Sequence, residues 1–344
     1  MQGRAWMIVL VLLLGISGCK GLVAVDENNE TQTQIDLRQT RQDLILSPDE
    51  RTLYVNVGNL GLDVFDVTTP SAPKLLKNYR AEDHTYALAI SGNTLFLANG
   101  TEGVELLDIS HPEVLQRIAY IRTGDDNATS VALSADTQTV AIGTGAGVQL
   151  FDISRQRFPA YLGRYESNGT VMDLQFNRGG ELYLANSAYG FESVDISTPS
   201  RPRLLGGVAL EGSAIALGSD ALQKDLYIAT LTSALKKIDL TDPRNPEYAI
   251  YYDAHDAGVI WDFGFGVDDR RLYLARDREG LEIVSVETTG GVRRLSSFDT
   301  NGTARGVTLN RAETVAYVAD GNEGLKVIDI SDKLHPKRIG YLKF

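Results

Sequence analysis

Ten polar or aromatic side chains have the types that bind ligands or move protons, and they stand in irregular stretches of the chain. Histidine beside a carboxylate can act as a general acid or base or bind a metal ion, and paired aspartates supply oxygen ligands. Tryptophan and arginine are typical of binding interfaces. The ten are Asp83, His84, Asp125, Asp126, Asn168, His255, Asp256, Trp261, Asn301 and Arg305. Their use depends on which of them the fold brings together.

Seven similar segments run through the chain between these irregular stretches. Six of the segments carry an aspartate at one register, and the sixth segment has Ser285 instead. The segments follow one another at intervals of 42, 44, 43, 44, 46 and 44 residues, which predicts a repeat architecture. The six register aspartates are Asp66, Asp108, Asp152, Asp195, Asp239 and Asp329.

Two other positions keep a fixed distance from this register. An aromatic residue or, once, Val140 stands 12 residues before it, and a glycine or, once, Ala234 stands 5 residues before it. A slip of one residue would turn every side chain of a strand to the wrong face, so the fixed offsets predict a β-hairpin. Two more short apolar segments complete each unit, and we expect four strands per unit.

Seven such units predict an all-β fold, a seven-bladed β-propeller of four-stranded antiparallel blades over residues 35–344. The first strand of blade 1 opens the ring and the fourth strand of blade 7 ends it. We therefore expect blade 7 to pack against blade 1 without a shared strand. Whether residues 34–38, "QIDLR", add a further strand stays open.

The third-strand pattern, G-L-x-V-x-D-I-S before a proline-containing turn, resembles the LVIVD repeat of bacterial surface and secreted proteins. The resemblance covers all seven units, and blade 6 departs from it most, with Ser285 and the turn "VETTGG". It implies a propeller domain. The family has few assigned activities, so the resemblance implies a fold rather than a reaction.

Recurrence separates structural from functional side chains. A side chain that the fold requires recurs in every blade, so we interpret the register aspartates as acceptors for the N–H groups of the following turns. The stretch "GTGAG", residues 143–147, has the composition of a phosphate-binding loop. It leads into a strand rather than a helix, and we interpret it as the turn between second and third strands.

The ten residues introduced first fall in the links from the fourth strand of one blade to the first strand of the next. In a propeller these links cross one face, and we expect this link face to be the working surface. His84 and His255 lead into blades 2 and 6, nearly opposite each other, so we do not expect them to share a metal ion. No cofactor is predicted, although the acidic stretch "GDDN", with Asp125 and Asp126, leaves calcium open.

The N-terminus resembles a bacterial lipoprotein signal peptide over residues 1–18. Arg4 precedes an apolar run that is too short to span a bilayer, and "ISGC" resembles a lipobox ending in Cys19, the only cysteine. We expect Cys19 to be acylated and to attach the protein to the membrane, with residues 19–34 as a flexible tether. By resemblance, Lys20 points to the outer membrane, on either side. The alternative is a secreted protein with a free thiol.

The net charge and the candidate residues leave two hypotheses for the function. The net charge is −12 and no block of lysine or arginine occurs, so we expect no nucleic-acid partner. One hypothesis is an envelope-anchored scaffold whose link face binds a protein or a glycan without catalysis. The alternative, from fold analogy, is a metal-dependent, lactonase-like hydrolase with its site at the propeller funnel.

Overall fold

The structure, a computed structural model, describes residues 42–220, 226–254, 258–268, 270–286 and 291–343. The predicted signal peptide, Cys19, the tether and the stretch 34–38 lie outside the described residues. Across these ranges, no helix has the length and apolar character needed to cross a membrane. The described chain forms 28 strands and two short 3-10 turns, Gly58–Leu60 and Gly321–Glu323.

The strands form seven antiparallel sheets of four, and within each sheet they lie side by side in chain order. Blades 1 and 2 contain β1 Leu44–Leu46, β2 Thr52–Asn56, β3 Leu62–Asp66, β4 Lys74–Tyr79, β5 Ala87–Ser91, β6 Thr94–Ala98, β7 Val104–Asp108 and β8 Gln116–Ile121. Blades 3 and 4 contain β9 Ala128–Leu133, β10 Thr139–Thr144, β11 Gly147–Asp152, β12 Ala160–Glu166, β13 Asp173–Phe176, β14 Leu182–Ala185, β15 Phe191–Asp195 and β16 Arg203–Val208. Blades 5 to 7 contain β17 Ala214–Ser219, β18 Leu226–Thr230, β19 Ala234–Asp239, β20 Glu247–Asp253, β21 Asp262–Phe265, β22 Arg271–Arg276, β23 Gly280–Val286, β24 Val292–Phe298, β25 Gly306–Leu309, β26 Val315–Ala319, β27 Leu325–Asp329 and β28 Lys337–Leu342.

The first strand of each blade contacts the first strands of both neighbouring blades. These seven strands therefore surround the central axis, and the fourth strands lie at the periphery. The predicted seven-bladed propeller is confirmed, and it places the links from fourth to first strands across one end of the ring.

The hairpin of second and third strands follows the predicted register. In blade 1, Tyr54 pairs with Val64 and Gly61 turns the chain with φ of 97°. A Cβ at Gly61 would come within 2.2 Å of a backbone oxygen, so glycine is required there. Blade 5 has Ala234 in its place, and the preceding Ser233 takes the positive φ, 62°.

The register aspartates hold the turns after the third strands, as predicted. In each of the six, a carboxylate oxygen accepts a hydrogen bond from the N–H two residues later. The Ser154 N–H, for example, donates to Asp152 at 2.8 Å, and hydrogen bonds from Ser154 lower the pKa of Asp152. In blade 6, the hydroxyl of Ser285 donates to the Arg293 carbonyl instead.

Blades 7 and 1 close the ring without a shared strand, because β1 to β4 and β25 to β28 form separate sheets. The Gly321 N–H donates to Gln42 Oε1 at 3.1 Å. Arg311 donates from its side chain to the Pro48 carbonyl and from its backbone to Glu50, both at 2.8 Å. One apolar cluster spans both blades. The predicted closure is therefore confirmed for the described strands.

A second polar register runs through the third strands, three residues before the register of the aspartates. Six of its side chains are buried and that of Glu192 is half-buried. Unlike the register aspartates, these residues change type and charge from blade to blade. They are Asp63, Glu105, Gln149, Glu192, Lys236, Glu282 and Lys326.

Blades 2, 4 and 6 have glutamate at this register, and each glutamate accepts a hydrogen bond from a tyrosine hydroxyl of the preceding blade. The pairs are Tyr79 with Glu105 at 2.5 Å, Tyr165 with Glu192 at 3.0 Å, and Tyr252 with Glu282. The three tyrosines occupy one register of the fourth strand. Burial raises the pKa of Glu105 and of Glu192.

Blades 3, 5 and 7 use an amide or ammonium group instead. Gln149 donates to the Thr123 carbonyl at 2.9 Å, Lys236 to the Glu211 carbonyl at 2.6 Å, and Lys326 to the Glu323 carbonyl at 2.8 Å. At the tyrosine register, the preceding blades have residues without a hydroxyl, Ile121, Val208 and Phe298.

Candidate functional site

The link face combines the links with the turns between second and third strands. Both lie at the same end of each sheet because the strands are antiparallel. In blades 2, 4 and 6, an isolated bridge joins the turn to a residue at or just before the start of the first strand of the next blade. The bridges are Gly100 with Ala128, Ser187 with Ala214, and Asp277 with Ala304.

A variable residue precedes the first strand in four blades and lies at the inner rim of this face. Each donates its N–H to an alanine of the adjacent second strand, which fixes its backbone equally in all four blades. The pairs are Tyr86 with Ala98, Met172 with Ala185, Trp261 with Ala275, and Arg305 with Ala319. The backbone of the rim is therefore the same in these four blades, while the type of side chain differs.

The structure brings two of the predicted site residues together at this rim, Trp261 and Arg305. The guanidinium carbon of Arg305 lies 4.3 Å from the centroid of the Trp261 ring, a cation–π contact. Asp277, in the turn of blade 6, accepts a hydrogen bond from the indole N–H at 3.3 Å. The same carboxylate oxygen lies 3.8 Å from Arg305 Nη2.

Arg305 is held in place and largely desolvated. Its side chain is 15% exposed, and burial lowers the pKa of the guanidinium, which Asp277 partly offsets. Within the described residues, the guanidinium donates no hydrogen bond. A stacked guanidinium whose N–H groups donate no hydrogen bond to the described residues can bind a carboxylate or another planar oxygen acceptor.

Asp83 and His84 stabilise the link between blades 1 and 2. Asp83 accepts hydrogen bonds from the Thr101 N–H at 2.9 Å and the Thr101 hydroxyl at 2.7 Å. Burial opposes ionisation, but these hydrogen bonds lower the pKa of Asp83 overall. His84 Nδ1 lies 2.8 Å from Asn59 Oδ1, and its ring packs on Tyr86. These contacts fix the link to two neighbouring turns.

The remaining predicted residues are dispersed over the link face or lie outside the described chain. Asp125, Asn168 and Asn301 are exposed, while Asp126 forms an ion pair with Arg164 at 3.3 Å. His255 and Asp256 lie outside the described residues. In the described ranges, no three His, Cys, Asp or Glu side chains lie close enough to hold a metal ion. Calcium at "GDDN" stays a prediction.

Tyr86 and Met172 of the rim, and Asp277 beside it, were not among the candidates from the sequence. Asp277 stands in a turn between second and third strands, a place that the recurrence argument assigned to the fold. Its signal is local composition, since "RDREG" is more charged than "VGNLG" or "SAYG" at the same place in other blades. Tyr86 is equivalent to Trp261 only once the four rim positions are aligned.

The comparisons with known proteins support the fold. The LVIVD repeat model matches residues 51–81, 169–209 and 302–342. No curated protein matches the sequence. Among solved structures, the periplasmic gluconolactonase of Pseudomonas aeruginosa is 16% identical, with a TM-score of 0.72 over 85% of this chain and 96% of that one.

Other solved structures agree with it. A Lactobacillus plantarum protein is 12% identical, with a TM-score of 0.73 over 85% of this chain and 97% of its own. A putative 6-phosphogluconolactonase of Bacteroides fragilis is 14% identical, with a TM-score of 0.69 over 87% and 97%. Identities this low show the fold alone. The described chain is thus a seven-bladed β-propeller with LVIVD repeats at three of its regions.

Proposed function

We propose that this protein is an envelope-anchored binding propeller, a lipoprotein attached through acylated Cys19, whose link face recognises a protein or glycan without catalysis. One observation carries the binding role: Arg305 lies over Trp261 at the inner rim, and its guanidinium donates no hydrogen bond to a described residue. Arginine and tryptophan supply much of the binding energy at interfaces.

The geometry favours an acidic group on the partner. A guanidinium whose face is covered by an indole presents its N–H edge, and a carboxylate can accept two hydrogen bonds from that edge. Because the side chain is already ordered, little conformational entropy is lost on binding. The acidic group would belong to an acidic side chain or an acidic sugar.

Arg305→Gln tests this role in the full-length protein. We expect a pull-down from envelope extract, together with a glycan array, to find a partner that the variant binds at least about tenfold more weakly, a loss of about 1.4 kcal/mol. Arg122→Gln is the matched control, because Arg122 is also on the link face but its side chain is 68% exposed. A partner that Arg305→Gln retains, or no partner at all, would contradict the proposal.

The membrane anchor is supported by the sequence of residues 1–19 and has its own test. We expect wild-type protein to incorporate a labelled fatty acid and to fractionate with outer membranes. Cys19→Ser should do neither. An unlabelled wild-type protein in the soluble fraction would refute the anchor and leave the binding role standing.

Lactone hydrolysis is the second candidate, because the fold is like that of a gluconolactonase. Hydrolysis of glucono-1,5-lactone by the full-length protein, with added calcium or magnesium and with a chelator, separates the two functions. The binding proposal expects the rate of buffer alone. A metal-dependent rate above buffer that the chelator removes would favour the hydrolase.

A further inference from the structure

An open groove lies on the opposite face from the links, between blades 2 and 3. Its lining comes from the turns at the other end of these sheets, and its volume is about 940 Å³, within the usual range for ligand sites. Ile118 and Ile153 form an apolar floor, with Ile153 only 1% exposed. Phe158 stands at the edge with 77% of its surface exposed.

Two residues at the groove differ from those found at three other junctions. At the junctions of blades 3 and 4, 4 and 5, and 7 and 1, a glycine of the fourth strand receives the carbonyl of a turn proline from the next blade. A Cβ at Gly163 would lie 2.1 Å from the Pro199 oxygen. At the junction of blades 2 and 3, the equivalent residues are Ala119 and Gln156. Ala119 has a Cβ where those junctions have glycine, so a carbonyl cannot approach the fourth strand as closely here.

The turn that borders the groove is positively charged, although the whole chain is acidic. Arg155 and Arg157 are exposed, and the turn "ISRQRFP" contains no carboxylate. Neither guanidinium forms a side-chain hydrogen bond with a described residue, although Arg155 interacts electrostatically with Asp152 and Arg157 with Asp108. The aspartates of the lining, Asp108 and Asp136, already accept hydrogen bonds from their own turns.

We propose that this groove binds an extended acidic segment of a partner polypeptide. Its carboxylates would pair with Arg155 and Arg157, and a neighbouring apolar side chain would enter between Phe158 and the two isoleucines. A recessed aliphatic floor suits a side chain better than a flat lipid surface or a sugar ring. The exposed guanidinium groups of Arg155 and Arg157 supply the charge complementarity.

Selection of random 12-residue peptides, displayed on phage, against the immobilised full-length protein tests the proposal. We expect enriched peptides to carry at least two Asp or Glu residues beside an apolar residue. Their affinity, measured by fluorescence anisotropy, should fall at least tenfold for Arg155→Glu/Arg157→Glu and severalfold for Phe158→Ser. Both variants change exposed side chains, so the fold should persist.

The matched control is Arg201→Glu/Arg244→Glu, which reverses the same charge in the corresponding turns of blades 4 and 5, and it should bind as wild type does. The proposal is overturned if no peptide is enriched, if the enriched peptides lack acidic residues, or if the charge-reversed variant binds them equally. It is also overturned if vesicles of phosphatidylcholine with 20% phosphatidylglycerol, or an acidic polysaccharide, bind in place of peptides and depend on the same arginines.

Discussion

Two kinds of junction alternate along the ring from blade 1 to blade 7. The residue at the second polar register accepts a hydrogen bond at one kind and donates one at the other. A tyrosine of blade 1, 3 or 5 donates to a carboxylate of the next blade, as Tyr165 does to Glu192. Where the fourth strand has no hydroxyl at the tyrosine register, the register residue of the next blade is itself a donor, as Lys236 is. The register residue is thus matched to the neighbouring blade, and the repeats are not interchangeable.

The junction of blades 5 and 6 is the most charged of these. Glu282 accepts the Tyr252 hydroxyl and also pairs with Arg276, and both members of this ion pair are fully buried. The junction of blades 4 and 5 has a single ammonium group, whose pKa burial lowers. Removing one charge should therefore cost more at the first junction than at the second.

The largest effect is expected from Glu282→Leu, which removes the carboxylate of the buried ion pair with Arg276. The free energy of unfolding should fall by about 3–5 kcal/mol, measured by urea denaturation. Arg276→Met/Glu282→Leu should recover most of this loss, since both members of the buried ion pair are then apolar. Exposed Glu279→Leu is the control. A loss below about 1 kcal/mol for Glu282→Leu, the level of a surface pair, would contradict the charged-junction interpretation.

Lys236→Glu tests whether the neighbour sets the register. A carboxylate there would face the Glu211 carbonyl, and we expect a loss of about 3 kcal/mol in unfolding free energy. Adding Val208→Tyr supplies the hydroxyl found at the other kind of junction. The double variant should recover at least about 1 kcal/mol relative to the sum of the single variants. Strict additivity in this cycle would show that the effect of the register residue does not depend on the neighbouring blade.

Asp320→Asn should change the pH dependence of stability at the junction of blades 6 and 7. Burial raises the pKa of Asp320 to about 6, although Thr300 and Lys326 oppose the shift. The folded carboxyl keeps its proton above the unfolded pKa, so its contribution is present below pH 4 and is lost as pH rises to about 6. Wild type should lose about 2 kcal/mol more than the variant between these values, by urea denaturation. Parallel profiles for the two proteins would refute the buried titration.

The smallest effect is expected from Gln149→Leu, because this junction is neutral. Loss of the hydrogen bond to the Thr123 carbonyl should lower the unfolding free energy by about 1 kcal/mol. Salt should leave this difference unchanged, whereas it should alter that of Lys236→Glu. A loss as large as that of Glu282→Leu would remove the distinction between charged and neutral junctions.

The fold was predictable because its requirements recur in residue type. A constant offset of seven residues between the aromatic and glycine positions fixed the hairpin, and the structure confirms it. The junction register escaped prediction because its residues are both acidic and basic, so only polarity recurs. A polar third residue in strands such as "GLEIV" was the available signal.

The candidate site was predictable in part. Trp261 and Arg305 were named from composition, but their contact was not predicted. They stand 44 residues apart, one repeat length, and equivalent positions of adjacent blades are neighbours at the inner rim. Asp83 shows the limit of reasoning from recurrence, because it occurs once and yet fixes a turn through Thr101. Contacts within variable links follow from the folded ring, and the repeat pattern does not specify them.

The closure between blades 7 and 1 has a consequence for how such chains change in length over evolution. Since each repeat contains one whole sheet, duplication or deletion of a single repeat leaves every inter-strand hydrogen bond inside a sheet intact. The side-chain matching and the backbone bridges between blades must be restored at the new boundary. Copy number can therefore change by one gene segment at a time, with selection acting on a few contacts at the joint.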